Sequence, residues 1–234
     1  MQQKLLLCYA MLLADTKSKK INLKIMKIID ISWPISKNCT EYKNKNTVKF
    51  EFLKNFDQGD KDNVRDSVIT LNSHVGTHVD APAHFLKHGK TIDQINLEKF
   101  IGKAKILDLT YVQEKITELD LNQFYIVKND IILLKTKNSL ISETQNFVPD
   151  FVYLEKSGAE FLAQKEIKTV GIDYLGIERN QPEHETHKIL FEKEIVIIEG
   201  LRLKNATEKE YFFYCLPIFT VGLEAAPARA ILIK

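Results

Sequence analysis

Three histidines and one aspartate are concentrated between His74 and His84, in the sequence HVGTHVDAPAH. Imidazole and carboxylate groups are the ligands that suit zinc, manganese or iron, and a catalytic metal needs only about three protein ligands and an open position. Four of the six histidines of the chain lie between positions 74 and 88. A single histidine is more often structural, but this concentration predicts a metal site and a hydrolytic reaction.

Two backbone conformations could present these ligands to one ion. In a helix, side chains four residues apart are neighbours, but Gly76 and the β-branched residues around it disfavour a helix. The extended conformation is favoured, because a strand-like run from Val68 leads directly into His74. On a strand His78 and Asp80 share one face, and Gly76 permits the turn that brings His74 to the same metal.

Two residues later in the chain are further candidates. Glu199 follows the run 195–198, which is apolar on both faces and therefore predicts a buried strand. A buried carboxylate needs a partner or a cation, and exposure to solvent or pairing with Arg202 is the open alternative. His187 lies on a short predicted helix before this strand, so it could meet Glu199 at one end of the sheet. His184 lies in a polar loop and is expected to be exposed.

Length and composition limit the class of protein. The chain has 234 residues, of which 44% are hydrophobic, enough for one sizeable core without a second domain. The formal net charge is only +2, which excludes the concentrated positive charge typical of nucleic-acid-binding proteins. Cys8, Cys39 and Cys215 are too few and too widely spaced for a disulfide framework or a C-x-x-C site. This cysteine content fits a reducing compartment.

The residues before Met26 form a separate segment. Lys4 and the apolar stretch 5–14 have the character of a short signal peptide, although the stretch is too short to anchor in a bilayer. Alternatively, translation begins at Met26, where a strand opens. We predict an N-terminal extension or signal-like segment over residues 1–25 and a hydrolase domain over 26–234. We expect a cytoplasmic location, with export as the alternative if residues 1–25 act as a signal.

The remaining pattern predicts a mixed α/β domain with a largely β core. Strand-like runs cover Lys27 to Ser32, Thr47 to Phe52, Val68 to His74, Lys103 to Leu109, Asp130 to Thr136, Thr169 to Tyr174, Ile195 to Leu201, Tyr211 to Leu216 and Ala230 to Ile233. Helical patterns cover Tyr153 to Glu166, Glu185 to Lys193 and Thr117 to Phe124.

From Ile28 to Lys234 the chain resembles the metal-dependent cyclase family, which includes the bacterial-type kynurenine formamidases. The resemblance rests mainly on the H-x-G-T-H-x-D-x-P-x-H motif, with further matches at 29–32, 171–175 and 227–233. It implies a single α/β domain of the swivelling β/β/α type, with a mixed β core and flanking helices. It also implies assembly as a homodimer or homotetramer.

The resemblance further implies a ligand set. His74, His78 and Asp80 would bind one metal ion, and Asp80 would bridge to a second ion held by His187 and Glu199. The ion would be zinc, or alternatively manganese, with one or two ions in each subunit. Asp80 suits a bridging role because a carboxylate has two oxygens.

His84 matches the position of the family's general acid and base, a role that suits histidine because its pKa lies near the working pH. Family members commonly carry an aromatic residue followed by Pro-Gly-Asp after the first strand, whereas this chain has Tyr-Lys-Asn-Lys from Tyr42. We predict that Tyr42 keeps an aromatic wall of a substrate pocket. Trp33 either lines that pocket or packs against the sheet.

These features predict a divalent-metal-dependent hydrolase that cleaves a C–N bond of a small aromatic amide. The most specific prediction is an arylformamidase acting on N-formylkynurenine. A cyclic amide or lactone hydrolase is the alternative, since activated water can attack either carbonyl. A non-catalytic metal-binding protein is a third hypothesis, although a structural metal has no use for His84. The expected partner is a small-molecule substrate, with no nucleic acid and no membrane.

Overall fold

One large mixed sheet organises the computed structural model, which describes residues 27–56, 63–207 and 209–234. The strands are β1 (Ile28–Asp30), β2 (Lys49–Lys54), β3 (Asp66–Thr70), β4 (His78–Asp80), β5 (Ile101–Asp108), β6 (Lys115–Ile116), β7 (Ile131–Lys135), β8 (Tyr153–Leu154), β9 (Thr169–Ile172), β10 (Val196–Glu199), β11 (Glu210–Pro217) and β12 (Ala225–Ile233). The α-helices are α1 (Glu118–Leu121), α2 (Lys156–Gln164) and α3 (Glu185–Glu192).

The large sheet closes on itself. Its order is β1-β12-β11-β5-β7-β9-β10-β4, and β4 also pairs with β12. Strands β5, β7, β9 and β10 are mutually parallel, whereas the remaining pairs are antiparallel. The result is a closed ring of strands, with β1 added beside β4 along β12. Closure leaves the short strand β4 with hydrogen-bonded neighbours on both sides.

Both faces of the barrel are covered along its parallel strand β7. Along β7, Ile131 and Leu133 pack into the barrel interior, whereas Ile132 and Leu134 pack into the outer core beneath α2 and α3. All four side chains are fully buried. A continuous apolar run is the pattern expected of a parallel strand buried on both faces, and it explains why these central strands were predictable from sequence.

Helix α2 is shorter than its sequence pattern predicts. Residues Tyr153 and Leu154 form β8, and α2 begins only after Glu155, whose carboxylate accepts a hydrogen bond of 3.0 Å from the backbone N–H of Ser157. A carboxylate at this position satisfies a backbone donor that the helix cannot pair. Gly158 permits the close approach of α2, because a Cβ there would lie 2.7 Å from Leu154.

The predicted strand from Val68 to His74 is wrong at its carboxyl end. Strand β3 ends at Thr70 and pairs with β2 in a separate two-stranded sheet. His74 lies in the following turn, since Gly76 has a φ of 60° that interrupts the extended backbone. The expected extended conformation of His78 and Asp80 is confirmed by β4.

The predicted fold class, a mixed α/β domain with a β core and flanking helices, is confirmed. Among the described residues, no helix is long and apolar enough to cross a membrane. Cys39 and Cys215 are free thiols. The predictions for residues 1–25, and Cys8 within them, lie outside the described residues.

Candidate metal centre

Two glycines let the backbone of the motif cross the end of β10. Gly76 and Gly200 have φ values of 60° and 70°, a region that favours glycine. A Cβ on Gly200 would lie 2.3 Å from the carbonyl oxygen of Gly76, and one on Gly76 would lie 2.9 Å from the oxygen of Trp33. The chain therefore turns here without room for any side chain.

Thr77 fixes this crossing with two buried hydrogen bonds. Its hydroxyl donates to the carbonyl oxygen of Gly200 at 2.5 Å and accepts from the backbone N–H of Trp33 at 2.6 Å. One side chain thus joins β4, the end of β10 and the segment after β1. The Gly-Thr pair within the motif positions the histidines on either side of it and need not touch an ion.

The register of β4 with β10 gathers three candidate ligands on one face. His78 lies opposite Glu199, and Asp80 lies opposite Ile197. Because alternate residues of a strand share a face, His78, Asp80 and Glu199 point the same way. The backbone N–H of Ile177 donates to Glu199 Oε1 at 2.7 Å and so orients the carboxylate.

The alternative role considered for Glu199 is wrong. Its side chain is only 6% exposed, so it does not point to solvent. Arg202 pairs instead with Glu143, at 2.7 Å between Nε and Oε1. Glu199 is therefore available to the cluster that β4 and α3 build around it.

The candidate ligands form two groups that share Asp80. In the first, His74 Nδ1 lies 2.9 Å and His78 Nε2 lies 3.5 Å from Asp80 Oδ1. In the second, His187 Nε2 lies 3.8 Å from Asp80 Oδ2 and 3.5 Å from Glu199 Oε1. Within each group the ligand atoms lie within 4.8 Å of one another. All five side chains named from sequence therefore converge at one place.

Buried atoms without partners test whether a cation fits. His78 Nδ1 lies 2.9 Å from the carbonyl oxygen of Gly76, which can only accept a hydrogen bond, so Nδ1 is the donor and Nε2 is left for another partner. Within the described residues, neither His78 Nε2 nor Asp80 Oδ1 forms a hydrogen bond, although His74 Nδ1 lies 2.9 Å from Asp80 Oδ1. A buried polar atom without a partner costs about 1–3 kcal/mol. A divalent cation would satisfy both atoms, so these residues fit one.

The electrostatics of the cluster also favour a cation. Burial opposes ionisation of Asp80, but the surrounding imidazoles hold the pKa of its carboxyl well below the usual range. Burial and a neighbouring carboxylate oppose ionisation of Glu199, yet contacts with His187 and His78 lower its pKa to about 2. Burial also opposes protonation of His78, but the two carboxylates raise its pKa to about 9. The site therefore stabilises positive charge on its imidazoles, and a metal ion can take the place of those protons.

His84 lies beside the cluster but outside both ligand groups. It ends a one-turn 3-10 helix, Pro82–His84, that follows β4 almost directly. Its ring centroid is 4.2 Å from that of His74 and 5.9 Å from that of His187. Burial lowers the pKa of His84 to about 4. The imidazole is therefore neutral at neutral pH and can accept a proton.

Sequence reasoning missed Glu178. Its carboxylate lies 3.1 Å from His187 Nδ1, accepts a hydrogen bond of 3.2 Å from the His187 backbone N–H, and contacts His184 Nδ1 at 2.5 Å. His184 is exposed, as its polar loop predicts. The signal was available, because Glu178 follows β9 and Glu199 ends the adjacent parallel strand β10. The carboxyl ends of parallel strands meet at one edge of a sheet, where ligands commonly bind.

A cavity of about 250 Å³ opens over the cluster. Its lining includes every candidate ligand except the fully buried His78. His84, the apolar side chains of Phe85 and Leu175, and Tyr42 with Lys43 and Lys45 also line it. The structure thus places Tyr42 in the position expected of a pocket wall.

Trp33 does not line this cavity. It is 2% exposed, packs edge-on against Tyr174 at 5.9 Å between centroids, and lies beneath the guanidinium of Arg202. Of the two roles considered for Trp33, lining the pocket and packing in the interior, the structure shows packing.

Comparisons with known proteins agree with this architecture. The Cyclase family profile, described as "Putative cyclase", matches residues 29–179. A kynurenine formamidase from Bacillus anthracis is 27% identical over 212 residues, covering 90% of this chain and 99% of that protein. Cyclase-like protein 3 from Oryza sativa subsp. japonica is 33% identical over 177 residues, covering 72% of this chain and 65% of that protein.

Solved structures extend the comparison. A protein described as a predicted metal-dependent hydrolase, from Bacillus stearothermophilus, is 41% identical with a TM-score of 0.79, covering 89% of this chain and 98% of the other. Isatin hydrolase A from Labrenzia aggregata has a TM-score of 0.77 at 16% identity, over 89% of this chain and 93% of the other. The second likeness concerns the fold alone.

Proposed function

The chain belongs to the Cyclase family and is a metal-dependent hydrolase, and from this premise we propose that it hydrolyses an aryl formamide of the N-formylkynurenine type. Full-length similarity to kynurenine formamidases supports the formamide as the first substrate to test. The scissile bond would be the C–N bond of the formamide, and the products would be formate and an aryl amine.

One observation carries the proposal. Two ligand groups share the carboxylate of Asp80 beneath an open cavity. The first group is His74, His78 and Asp80, and the second is Asp80, His187 and Glu199. A purely structural cation site has no need of a cavity or of a neutral imidazole beside it. An open position and an adjacent base are the features that distinguish catalytic from structural sites.

The five candidate ligands would hold one or two divalent ions, zinc in the first instance and manganese as the alternative. When bound, such an ion lowers the pKa of water to about 7 and polarises a carbonyl oxygen. In this proposal His84 accepts a proton from the attacking water. The same imidazole then donates a proton to the leaving nitrogen, so that the amine departs as a neutral group.

Other side chains orient this chemistry. Glu178 lies 3.1 Å from His187 Nδ1 and accepts from the His187 backbone N–H, and in this proposal it holds the imidazole with Nε2 toward Asp80 and Glu199. A carboxylate behind a ligand imidazole fixes its tautomer and orientation. The apolar side chains of Phe85 and Leu175 offer a surface for an aromatic ring next to the cluster.

The remaining parts of the proposal concern the whole chain. We place the hydrolase domain at residues 26–234, in the cytoplasm, with a small-molecule substrate and without nucleic acid or membrane. We further propose assembly as a homodimer or homotetramer. These points rest on the family relationship and on the balanced charge of +2.

Metal removal provides the first test. Exhaustive chelation should abolish hydrolysis, and zinc or manganese added back should restore it. Chelation should also lower the thermal unfolding temperature, because a ligand bound only by the native state stabilises that state. Full activity in protein that elemental analysis shows to be metal-free would refute the proposal.

A substrate panel provides the second test. The metal-loaded protein should release formate from N-formylkynurenine, and the panel should also contain a cyclic amide and a lactone. Turnover of the formamide well above the other two supports an arylformamidase. If only the cyclic amide or the lactone is hydrolysed, that compound replaces the formamide as the proposed substrate, and the proposed metal site is unchanged.

A further inference from the structure

The loop after Glu41 is unusual in its backbone. Lys43, Asn44 and Asn46 have φ values of 54°, 55° and 55°, a region that residues other than glycine adopt only at a cost. Such residues persist where the surrounding structure holds them, and they concentrate at functional sites. The strained stretch borders the cavity above the candidate ligands.

Buried hydrogen bonds hold this loop in place. The Glu41 carboxylate, on a residue only 7% exposed, accepts from the backbone N–H of Thr47 at 2.8 Å, from its hydroxyl at 2.5 Å and from the N–H of Val48 at 3.2 Å. Asn44 Oδ1 accepts from the backbone N–H of Phe147 at 2.8 Å. The loop is therefore a fixed part of the cavity wall.

This loop presents two lysines to the cavity. Lys43 and Lys45 both line it, and their ammonium groups lie 5.2 Å and 5.9 Å from the ring centroid of Tyr42. Within the described residues neither ammonium forms an ion pair with a carboxylate. By contrast, Arg179 in the adjoining groove is paired with Glu114 at 2.9 Å. The two lysines are thus cations at the cavity without a matched anion.

From this arrangement we infer that the substrate carries a carboxylate remote from the scissile bond, and that Lys43 and Lys45 bind it. This inference rests on the proposed function, because it assigns a second recognition point to the same cavity. The carboxylate would lie at the exposed rim, near Tyr42, while the amide reaches the ligand cluster. Cations that surround a cavity raise the local concentration of anions and speed their entry.

Binding of the substrate carboxylate should depend on whether a divalent cation occupies the ligand cluster. Asp80, Glu178 and Glu199 place three carboxylates in the cavity lining, and these oppose the approach of an anion. With divalent cations bound, this charge is compensated and the lysines dominate. An anionic ligand should therefore bind the metal-loaded protein better than the metal-free protein.

Two matched substrates test the inference. One is an aryl formamide with an ortho-acyl side chain that ends in a carboxylate, and the other is the same compound with that carboxylate converted into a primary amide. The zinc-loaded protein should favour the acid by about tenfold in kcat/KM, mainly through KM, and the preference should shrink as salt screens exposed charges. The double variant Lys43→Met/Lys45→Met should lose this preference, because kcat/KM for the acid should fall to the value for the amide.

A charge-matched control separates local from long-range effects. Lys103→Met/Lys204→Met removes the same charge at two exposed lysines that do not line the cavity, so it should keep the preference for the acid. Equal kcat/KM for the two compounds in the unmodified protein, or a preference that survives in Lys43→Met/Lys45→Met, would overturn the inference.

Binding of the product amines tests the inference without turnover. Calorimetry with the zinc-loaded protein should show tighter binding of the acid than of the amide, and this difference should vanish in Lys43→Met/Lys45→Met. Equal binding would contradict the role of the lysines. If neither formamide is hydrolysed but the acid still binds more tightly, the proposed reaction fails and the anion site stands.

Discussion

Asp80 is the residue on which both candidate ion positions depend. Its two oxygens face separate partners, His74 and His78 at Oδ1 and His187 at Oδ2. A neutral histidine in its place could bind only one ion, because one of its two ring nitrogens carries a proton. The side chain is 1% exposed, so its charge must be compensated by the cluster itself.

His84 provides the sharpest prediction for a single residue. His84→Ala should keep metal content near normal, because His84 belongs to neither ligand group, and should lower kcat by about 10²- to 10⁴-fold through loss of proton transfer. His88→Ala is the matched control, since His88 is exposed and does not line the cavity. Steady-state kinetics and elemental analysis measure both effects. Unchanged kcat in His84→Ala would remove His84 from its proposed role.

At the scale of elements, the short strand β4 has the largest consequence for the site. It has only three residues, yet it pairs with β10 on one side and β12 on the other. These pairings close the barrel and set His78 opposite Glu199. The strand pairings that close the barrel therefore also bring His78 and Asp80 next to Glu199.

The crossing of Gly76 and Gly200 gives a prediction at this scale. Gly200→Ala should lower the free energy of unfolding by a backbone cost of about 1–2 kcal/mol and by about 1–3 kcal/mol of overpacking, because its Cβ would overlap the Gly76 carbonyl. It should also reduce metal content. Urea unfolding and elemental analysis measure the two effects.

Gly222→Ala separates backbone strain from steric overlap. Gly222 has a φ of 79°, but a Cβ there meets nothing within 4 Å. This variant should therefore show only the backbone cost and should retain its metal. Equal destabilisation of the Gly200 and Gly222 variants would show that the close approach at Gly200 is unimportant.

At the scale of the whole molecule, the loop between β11 and β12 is strongly apolar. Ile218, Phe219 and Val221 are 57%, 78% and 74% exposed. A contiguous exposed apolar patch is unfavourable in water and commonly marks a protein interface. This loop supports the proposed homodimer or homotetramer.

Oligomerisation gives the prediction at this scale. Phe219→Lys/Val221→Lys should shift the protein toward monomer, because charges at a buried interface lose their hydration. Leu119→Lys is the control, since Leu119 is 85% exposed and belongs to α1 rather than to this loop. Light scattering coupled to size-exclusion chromatography measures the mass. An unmodified protein that is monomeric at all concentrations tested would contradict the proposed assembly.

Much of the fold was readable from sequence, for a physical reason. Strands such as β7 and β10 are buried on both faces and are therefore continuously apolar. Helix α3 was predicted with an error of one residue at its end, since its polar start and apolar face are local features. Helix α2 was less well predicted, because β8 forms only through pairing with the distant strand β6.

The sequence by itself determined which chemistry the site can perform, because the ligand types and their spacing lie within one short segment, 74–84. It also indicated an extended backbone at His78 and Asp80, since Gly76 and the β-branched residues disfavour an α-helix. Only the tertiary structure decided that Glu199 turns inward, that Glu178 lies behind His187, and that Lys43 and Lys45 border the cavity. These contacts join segments that are far apart in the chain, so they depend on strand order and register, which local sequence patterns do not encode.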